Sequence, residues 1–315
     1  MSEQLDRVSL SFLVDELEIR RGGVGPNICF GLAALGVTPA LVGAVGADFA
    51  DYGRWLAARG VDTRAVRVST ERHTARFVCT TDEAQNQIAS FYAGAMAEAV
   101  EIDLREAITA TGDPAVVLIG ADDPAAMVRH TRTCHEAGMA FAADPSQQLA
   151  RVSAEQAREL VDGALYLFGN EYESLLLRKS TGWSRDEILG RVGTWLTTLG
   201  SEGVRIERAG HETVTVPAVP AAVVDPTGGG DAFRAGFLAA RSWGFDLADA
   251  ARVGCALATE AIEALGGQGY ELEPEPFTRR FAAAYGDVTA KRLADGLAAS
   301  RQESLQSGAR SARSA

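Results

Sequence analysis

The sequence has no Cys-x-x-Cys pair, no Gly-x-x-x-x-Gly-Lys-[Ser/Thr] loop, no surplus of positive charge, and no apolar run approaching a membrane-spanning helix. Each absence excludes something. Without paired cysteines, Cys29, Cys79, Cys134 and Cys255, each set among apolar neighbours, read as free, buried thiols of a reducing compartment. Without a long apolar run or a signal-peptide pattern in the acidic N-terminus, a cytoplasmic protein with no membrane partner is expected. A formal net charge of −12 argues against a nucleic-acid surface, so any anionic ligand must be held by local features. No internal repeat is present. What is there, 315 residues with 47% hydrophobic and 23% charged content, suffices for one large α/β domain with an appendage or for two domains.

The most informative stretch is Asp225-Pro226-Thr227-Gly228-Gly229-Gly230-Asp231-Ala232-Phe233. Upstream, Thr213 to Val224 is β-branched and apolar; downstream, Phe233, Phe237 and Leu238 recur at helical spacing. Three glycines therefore open a helix, where bare backbone lets several N–H groups converge on one anion and the helix N-terminus adds partial positive charge. Asp231 lies inside this electropositive turn, which favours its ionised form and its use as a proton acceptor. Spacing alone leaves open a second reading, a glycine-rich turn capped by an aspartate.

In chain order, Val8 to Ile19 alternates apolar and polar residues with one slip, as a half-exposed strand with a bulge does. Gly22-Gly23 precedes a helix with Pro26 in its first turn, running to Leu35. A buried strand spans 40–45, an amphipathic helix 49–59, and two alternating runs, 74–81 and 87–92, predict a hairpin. Beyond residue 100 the pattern is a βα alternation with strands at 116–119, 141–143, 165–168 and 196–199. Helix starts are marked by Asp123-Pro124 and by capping boxes at Ser153 and Ser184. Such a pattern predicts a parallel sheet covered on both faces, with a small β lid made of segments about 5–21 and 72–93. Helices at 247–265, 274–285 and 288–299 close a domain spanning 1–300, and the tail 301–315 reads as disordered.

Asp-x-Thr-Gly-x-Gly-Asp-x-Phe resembles the C-terminal signature of the ribokinase-like (PfkB) carbohydrate and nucleoside kinases. The resemblance implies a doubly wound three-layer αβα domain with a β-sheet lid, Asp231 as catalytic base, and Gly228, Gly229 and Gly230 as anion hole. Gly229 stands where the family commonly has alanine, a change expected to loosen the loop. Gly22-Gly23-x-x-x-Asn27 resembles the N-terminal signature, with the glycines as hinge and Asn27 on a sugar hydroxyl. Asn170-Glu171-Tyr172-Glu173 resembles the family's Asn-x-x-Glu motif, which places Mg²⁺ through ordered water; locally it also reads as an N-cap with acidic residues in the first turn. By the same resemblance Thr198, Gly200, Gly203 and Thr227 belong with ATP, though 197–203 reads equally as a plain strand exit.

The resemblance implies that the lid sets the acceptor; here its Phe77 and Phe91 can sandwich a purine, with stacking of about 1–3 kcal/mol per base, or can form lid core. Ser90-Phe91-Tyr92 and Asp144-Pro145-Ser146-Gln147-Gln148 look like the actinobacterial type of adenosine kinase. That implies ATP-dependent phosphorylation of adenosine at its 5′-hydroxyl, with another sugar as alternative acceptor. One departure stands out: the family's opening strand, ending in a ribose-binding Asp, has no counterpart here. Its absence is expected either from a late start codon or from a chain reduced to nucleoside binding. Lid edges allow a homodimer.

Overall fold

The computed structural model describes residues 13–82 and 86–311. Helix α1 (Val24–Ala34) starts from Gly23, whose φ of 106° is open to glycine and strained for other residues. Strand β1 (Gly43–Gly46), helix α2 (Ala50–Ala57) and strand β2 (Val66–Ser69) follow, β1 and β2 pairing in parallel as a sheet of their own. β3 (Arg76–Thr81) and β4 (Gln87–Tyr92) form the expected hairpin, with Phe77 opposite Phe91. Asp48, just past β1, anchors its root by accepting from the Thr74 N–H and hydroxyl and from Arg76.

The alternation then runs α3 (Leu104–Thr111), β5 (Val117–Ile119), α4 (Pro124–Ala137), β6 (Phe141–Ala143), α5 (Ala154–Val161) and β7 (Tyr166–Asn170). It continues with α6 (Glu171–Thr181), α7 (Arg185–Leu189), β8 (Thr194–Thr198), β9 (Val204–Glu207) and β10 (Val214–Val216). The start signals act as read: Asp123 caps α4, and Ser153 and Ser184 close capping boxes with Gln156 and Glu187. Four helices finish the chain: α8 (Gly229–Ser242), α9 (Leu247–Ile262), α10 (Pro274–Tyr285) and α11 (Asp287–Ser311).

The six strands β5 to β10 lie in chain order. β5 to β8 are parallel, whereas β9 and β10 are antiparallel, so the sheet is mixed rather than wholly parallel. The turn between β8 and β9 is too short for a crossover, which forces the reversal. Monotonic order also sorts the helices, because successive crossovers of one hand land on one face. Phe141, Ala143, Leu167 and Trp195 pack with α4–α7 on that face. The intervening Ala142, Tyr166, Phe168 and Leu196 pack with α1 and α8–α11 on the other. Burial on both faces explains the near-continuous apolar strands and makes the three-layer αβα architecture.

Three expectations change. Val8, Leu10 and Phe12 lie outside the described residues, and 13–22 is not a strand: Leu13, Leu17 and Ile19 are exposed. An alternating run becomes a strand only where a neighbouring edge takes its hydrogen bonds, and the lid here is the hairpin alone among the described residues. Cys79 is exposed on that hairpin because no second layer covers it, while Cys29, Cys134 and Cys255 are buried. The segment after 300 is helical through Ser311, its Leu, Ala, Gln, Glu and Arg outweighing Gly308. The six-stranded sheet ends on β5, and no described strand joins it to β1–β2.

Gly203 is structural. With φ of 99°, a Cβ there would stand 2.0 Å from the Val216 carbonyl oxygen of β10. Gly203→Ala is expected to destabilise by about 2–3 kcal/mol or more, read as a drop in Tm; an unchanged Tm contradicts this close approach.

Candidate active site

A pocket of about 250 Å³ opens where the carboxyl ends of β6, β7 and β8 meet the N-terminus of α8, the place where parallel α/β sheets gather ligands. On its helical side, Gly228 caps α8 in the left-handed conformation (φ 80°) with no side-chain cap bond. Its conformation cannot be traded: a Cβ would meet the Gly267 Cα at 2.5 Å. Among the described residues, the N–H groups of Gly228, Gly230 and Asp231 have no acceptor, and Gly228, Gly230 and Asp231 line the pocket. Gly229 is buried, and a Cβ on it would stand 2.7 Å from Ile262 Cγ2. The departure from alanine therefore lets α9 press close rather than loosening the loop. Asp225 ties the loop down, accepting from the N–H groups of Thr227 and Gly266.

Asp231 accepts a hydrogen bond of 2.8 Å from Asn27 Nδ2 on α1. Burial pushes its carboxyl up to about 6; Arg234 and Asn27 pull it down, and Asp144 and Glu173 push it further up. The expectation of a favoured carboxylate in an electropositive turn is thus reversed, because desolvation outweighs the turn. A base near 6 is still ionised at neutral pH and basic enough to take a hydroxyl proton.

Beneath the glycines lies a buried ion pair, Arg234 on α8 with Asp144 at the end of β6, at 2.7 Å from Nη2 to Oδ1. Burial pushes the Asp144 carboxyl up against the pull of the guanidinium, while Asp144, Asp231 and Glu173 hold Arg234 cationic despite its burial. Arg234 lines the pocket, and its Nη1 donates to no protein group among the described residues.

On the sheet side, Asn170 and Glu173 form a capping box: Asn170 Oδ1 accepts from the Glu173 N–H, and Glu173 Oε2 from the Asn170 N–H. The N-cap reading is correct, yet both residues also line the pocket. Glu173 Oε1 accepts from Ser146, whose φ of 49° holds the residue in a strained turn after β6. No cluster of three metal-ligating side chains occurs among the described residues. A carboxylate already engaged at both oxygens suits a hydrated Mg²⁺ held through water rather than a direct cage.

The sequence-derived residues divide. Asp231, Gly228, Gly230, Asn170, Glu173 and Thr198 line the pocket, Asn27 reaches it through Asp231, and Gly23 supplies the left-handed entry to α1. Phe77 and Phe91, 69% and 54% exposed, sit on the lid hairpin and outside the pocket lining; Gly22, Thr227, Gly200 and Gly203 also lie outside that lining. Asp144 and Ser146 entered the sequence reading only as part of a resembling segment and without a role, and Arg234 not at all. Their signal was available: Asp144 ends a strand as Asn170 and Thr198 do, and Arg234 interrupts an apolar helix face.

The sequence profile of the pfkB family carbohydrate kinases matches residues 1–273. The chain belongs to this family. A nucleoside kinase of Methanocaldococcus jannaschii is 31% identical over 250 residues, covering 78% of this chain and 80% of that protein. Bacillus subtilis ribokinase is 30% identical over 255 residues, covering 79% and 83%. The solved structure of Burkholderia thailandensis nucleoside kinase in complex with inosine is 36% identical with a TM-score of 0.81, over 89% of this chain and 90% of that one. The fold is that of the pfkB kinases, ribokinase-like, and no helix among the described residues is long and apolar enough to cross a membrane.

Because the folded protein binds the Asp231 proton more tightly than the unfolded chain, ionising Asp231 lowers stability above about pH 6, and this penalty vanishes below about pH 4. Asp231→Asn is expected to raise stability at pH 7 by on the order of 2 kcal/mol, the gain shrinking as pH falls through that window. Thermal melts across pH test this; a lower Tm at pH 7 contradicts the burial argument.

Proposed function

We propose that the protein transfers the γ-phosphoryl group of ATP to the 5′-hydroxyl of a purine nucleoside, adenosine foremost, giving the nucleoside monophosphate and ADP. The observation that carries this reading is Asp231 beside the unengaged N–H groups of Gly228 and Gly230. Asp231 takes the hydroxyl proton as that oxygen bonds to phosphorus and the bond to ADP breaks. The amides, with Nη1 of Arg234 close behind Gly230, balance charge on the transferring group. Glu173 and Asn170, both in the pocket lining, would hold a hydrated Mg²⁺ through its water, and the ion would supply positive charge against that of the ATP phosphates. Asn27 Nδ2 donates one hydrogen to Asp231, which leaves its second for a sugar hydroxyl. In this reading Thr198, at the end of β8 and in the pocket lining, lies on the ATP side.

A nucleoside acceptor is supported by the M. jannaschii and B. thailandensis relatives, the latter solved with inosine and with ADP and inosine. In this reading the lid folds over the pocket, and Phe77 and Phe91, opposite each other across the hairpin, offer their faces to the base. The exposure of this pair and the identity to a ribokinase favour one second reading, phosphorylation of a free sugar.

A coupled ADP-release assay with adenosine, inosine, ribose and fructose separates them. Turnover of adenosine or inosine well above the sugars is expected, and turnover of ribose or fructose alone refutes the nucleoside reading. Asp231→Asn is expected to lower kcat at least about 10²-fold while substrate binding persists; near-normal turnover removes Asp231 as base.

A further inference from the structure

A line of hydrogen bonds runs from Asp231 to the carbonyl of Gly22, just ahead of α1. Asn27 Nδ2 donates to Asp231 Oδ2 (2.8 Å), Gln268 Nε2 donates to Asn27 Oδ1 (2.9 Å) and to the Tyr52 hydroxyl oxygen (2.5 Å), and the Tyr52 hydroxyl donates to the Gly22 carbonyl (3.1 Å). We propose that Gln268 is a positioning residue for the phosphoryl transfer, holding the Asn27 carboxamide with its N–H toward Asp231 and tying that contact to the Gly22 peptide ahead of α1. This rests on the reading of Asp231 as the base.

The polarity of the line has one solution. Its two ends, a carboxylate and a carbonyl, can only accept, so Asn27 must present its nitrogen to Asp231 and its oxygen to Gln268. Gln268 must then present its nitrogen both to Asn27 and to Tyr52. Turning either amide over sets two acceptors face to face. Gln268 and Asn27 are both buried, so water is not at hand to mend a wrong orientation.

Two further observations set this glutamine apart from ordinary packing. Its own Oε1 is buried with no partner, a cost that an apolar side chain of the same shape would not carry. The turn that holds it also touches both halves of the site: a Cβ on Gly267 would stand 2.8 Å from Asn27 Nδ2, and Gly267 Cα closes on Gly228. The segment Gly266–Gly269 thus braces the glycine turn and the partner of the base together. The groups facing Asp231 are Arg234 from its own helix, Asp144 at the end of β6, Glu173 on α6, Asn27 on α1, and the buried hydroxyl of Tyr270.

The test compares wild type with Gln268→Leu, Gln268→Glu and Tyr52→Phe in steady-state kinetics from about pH 5 to 9 with the acceptor that the substrate panel selects. Gln268→Leu is expected to lower kcat about 10-fold with KM for ATP within about twofold, and to move the acid limb of the profile to higher pH, since Asp231 loses a donor. Gln268→Glu keeps the shape but accepts from Asn27 Nδ2 and so turns Asn27 Oδ1 toward Asp231. Its loss is expected to reach about 10². Packing alone predicts the opposite ranking or none. If the Gln268 variants do not fold, Tyr52→Phe, which retains its ring against Phe49, must still move the limb in the same direction. An unmoved limb and wild-type kcat in the folded variants overturn the proposal while leaving an Asp231-dependent kinase intact. Normal turnover by Asp231→Asn removes the base reading and this proposal with it.

Discussion

A guanidinium buried one turn inside α8 is tolerable because Asp144, at the end of β6, stands against it. Removing either partner would strand a charge in the interior, at a cost of several kcal/mol. The pair therefore pins the first turn of α8 to the carboxyl edge of the sheet, and the direction of the glycine amides follows from that attachment. It also dictates a residue choice: a Cβ on position 230 would collide with Arg234 Nη1 at 2.8 Å. The run of three glycines has three separate causes, a left-handed cap at 228, the press of Ile262 at 229 and the guanidinium under 230.

Asp231 sits at a balance of opposing effects. The helix N-terminus, Arg234 and the Asn27 donor all favour the carboxylate, and a helix end contributes up to about 2 kcal/mol. Burial and the neighbouring Asp144 and Glu173 oppose them and win by enough to bring Asp231 up to about 6. The site thus holds a carboxylate that is ionised at neutral pH without being a feeble proton acceptor.

Much of this was legible in the sequence because it is local. The caps at Asp123, Ser153 and Ser184, the span 274–285 and the strand cores of β5 to β8 depend on residues within a turn or two of each other. The N-terminal alternation misled because a period of two describes a strand only once an edge is there to receive it. β2 (Val66-Arg67-Val68-Ser69) and β9 (Val204-Arg205-Ile206-Glu207) alternate apolar and polar residues over a single short stretch, whereas β5 and β6, shorter still, stand out as unbroken apolar runs between helical patterns. Asp231 and the glycine turn could be read from their contiguity. The Asp144–Arg234 pair joins residues 90 apart, and Gln268 meets Asn27 across 241, so no window along the chain contains either contact. Gly203 looked like part of a nucleotide loop; the carbonyl of Val216 that requires it belongs to a strand a dozen residues on.

The chain-ordered sheet bears on how the molecule is assembled. Each of β5 to β10 pairs only with its neighbours in sequence, so the sheet can grow strand by strand as the chain emerges, each parallel pair closing over one helical crossover rather than over the whole chain. One face stays bare until α8 to α11 arrive, and α1, the earliest helix, must wait for the latest ones before it has anything to dock on. The contact between Asn27 and Asp231, 204 residues apart, belongs to that final docking. Catalytic competence is therefore the last thing this topology confers, and a half-made chain has a sheet without a working centre.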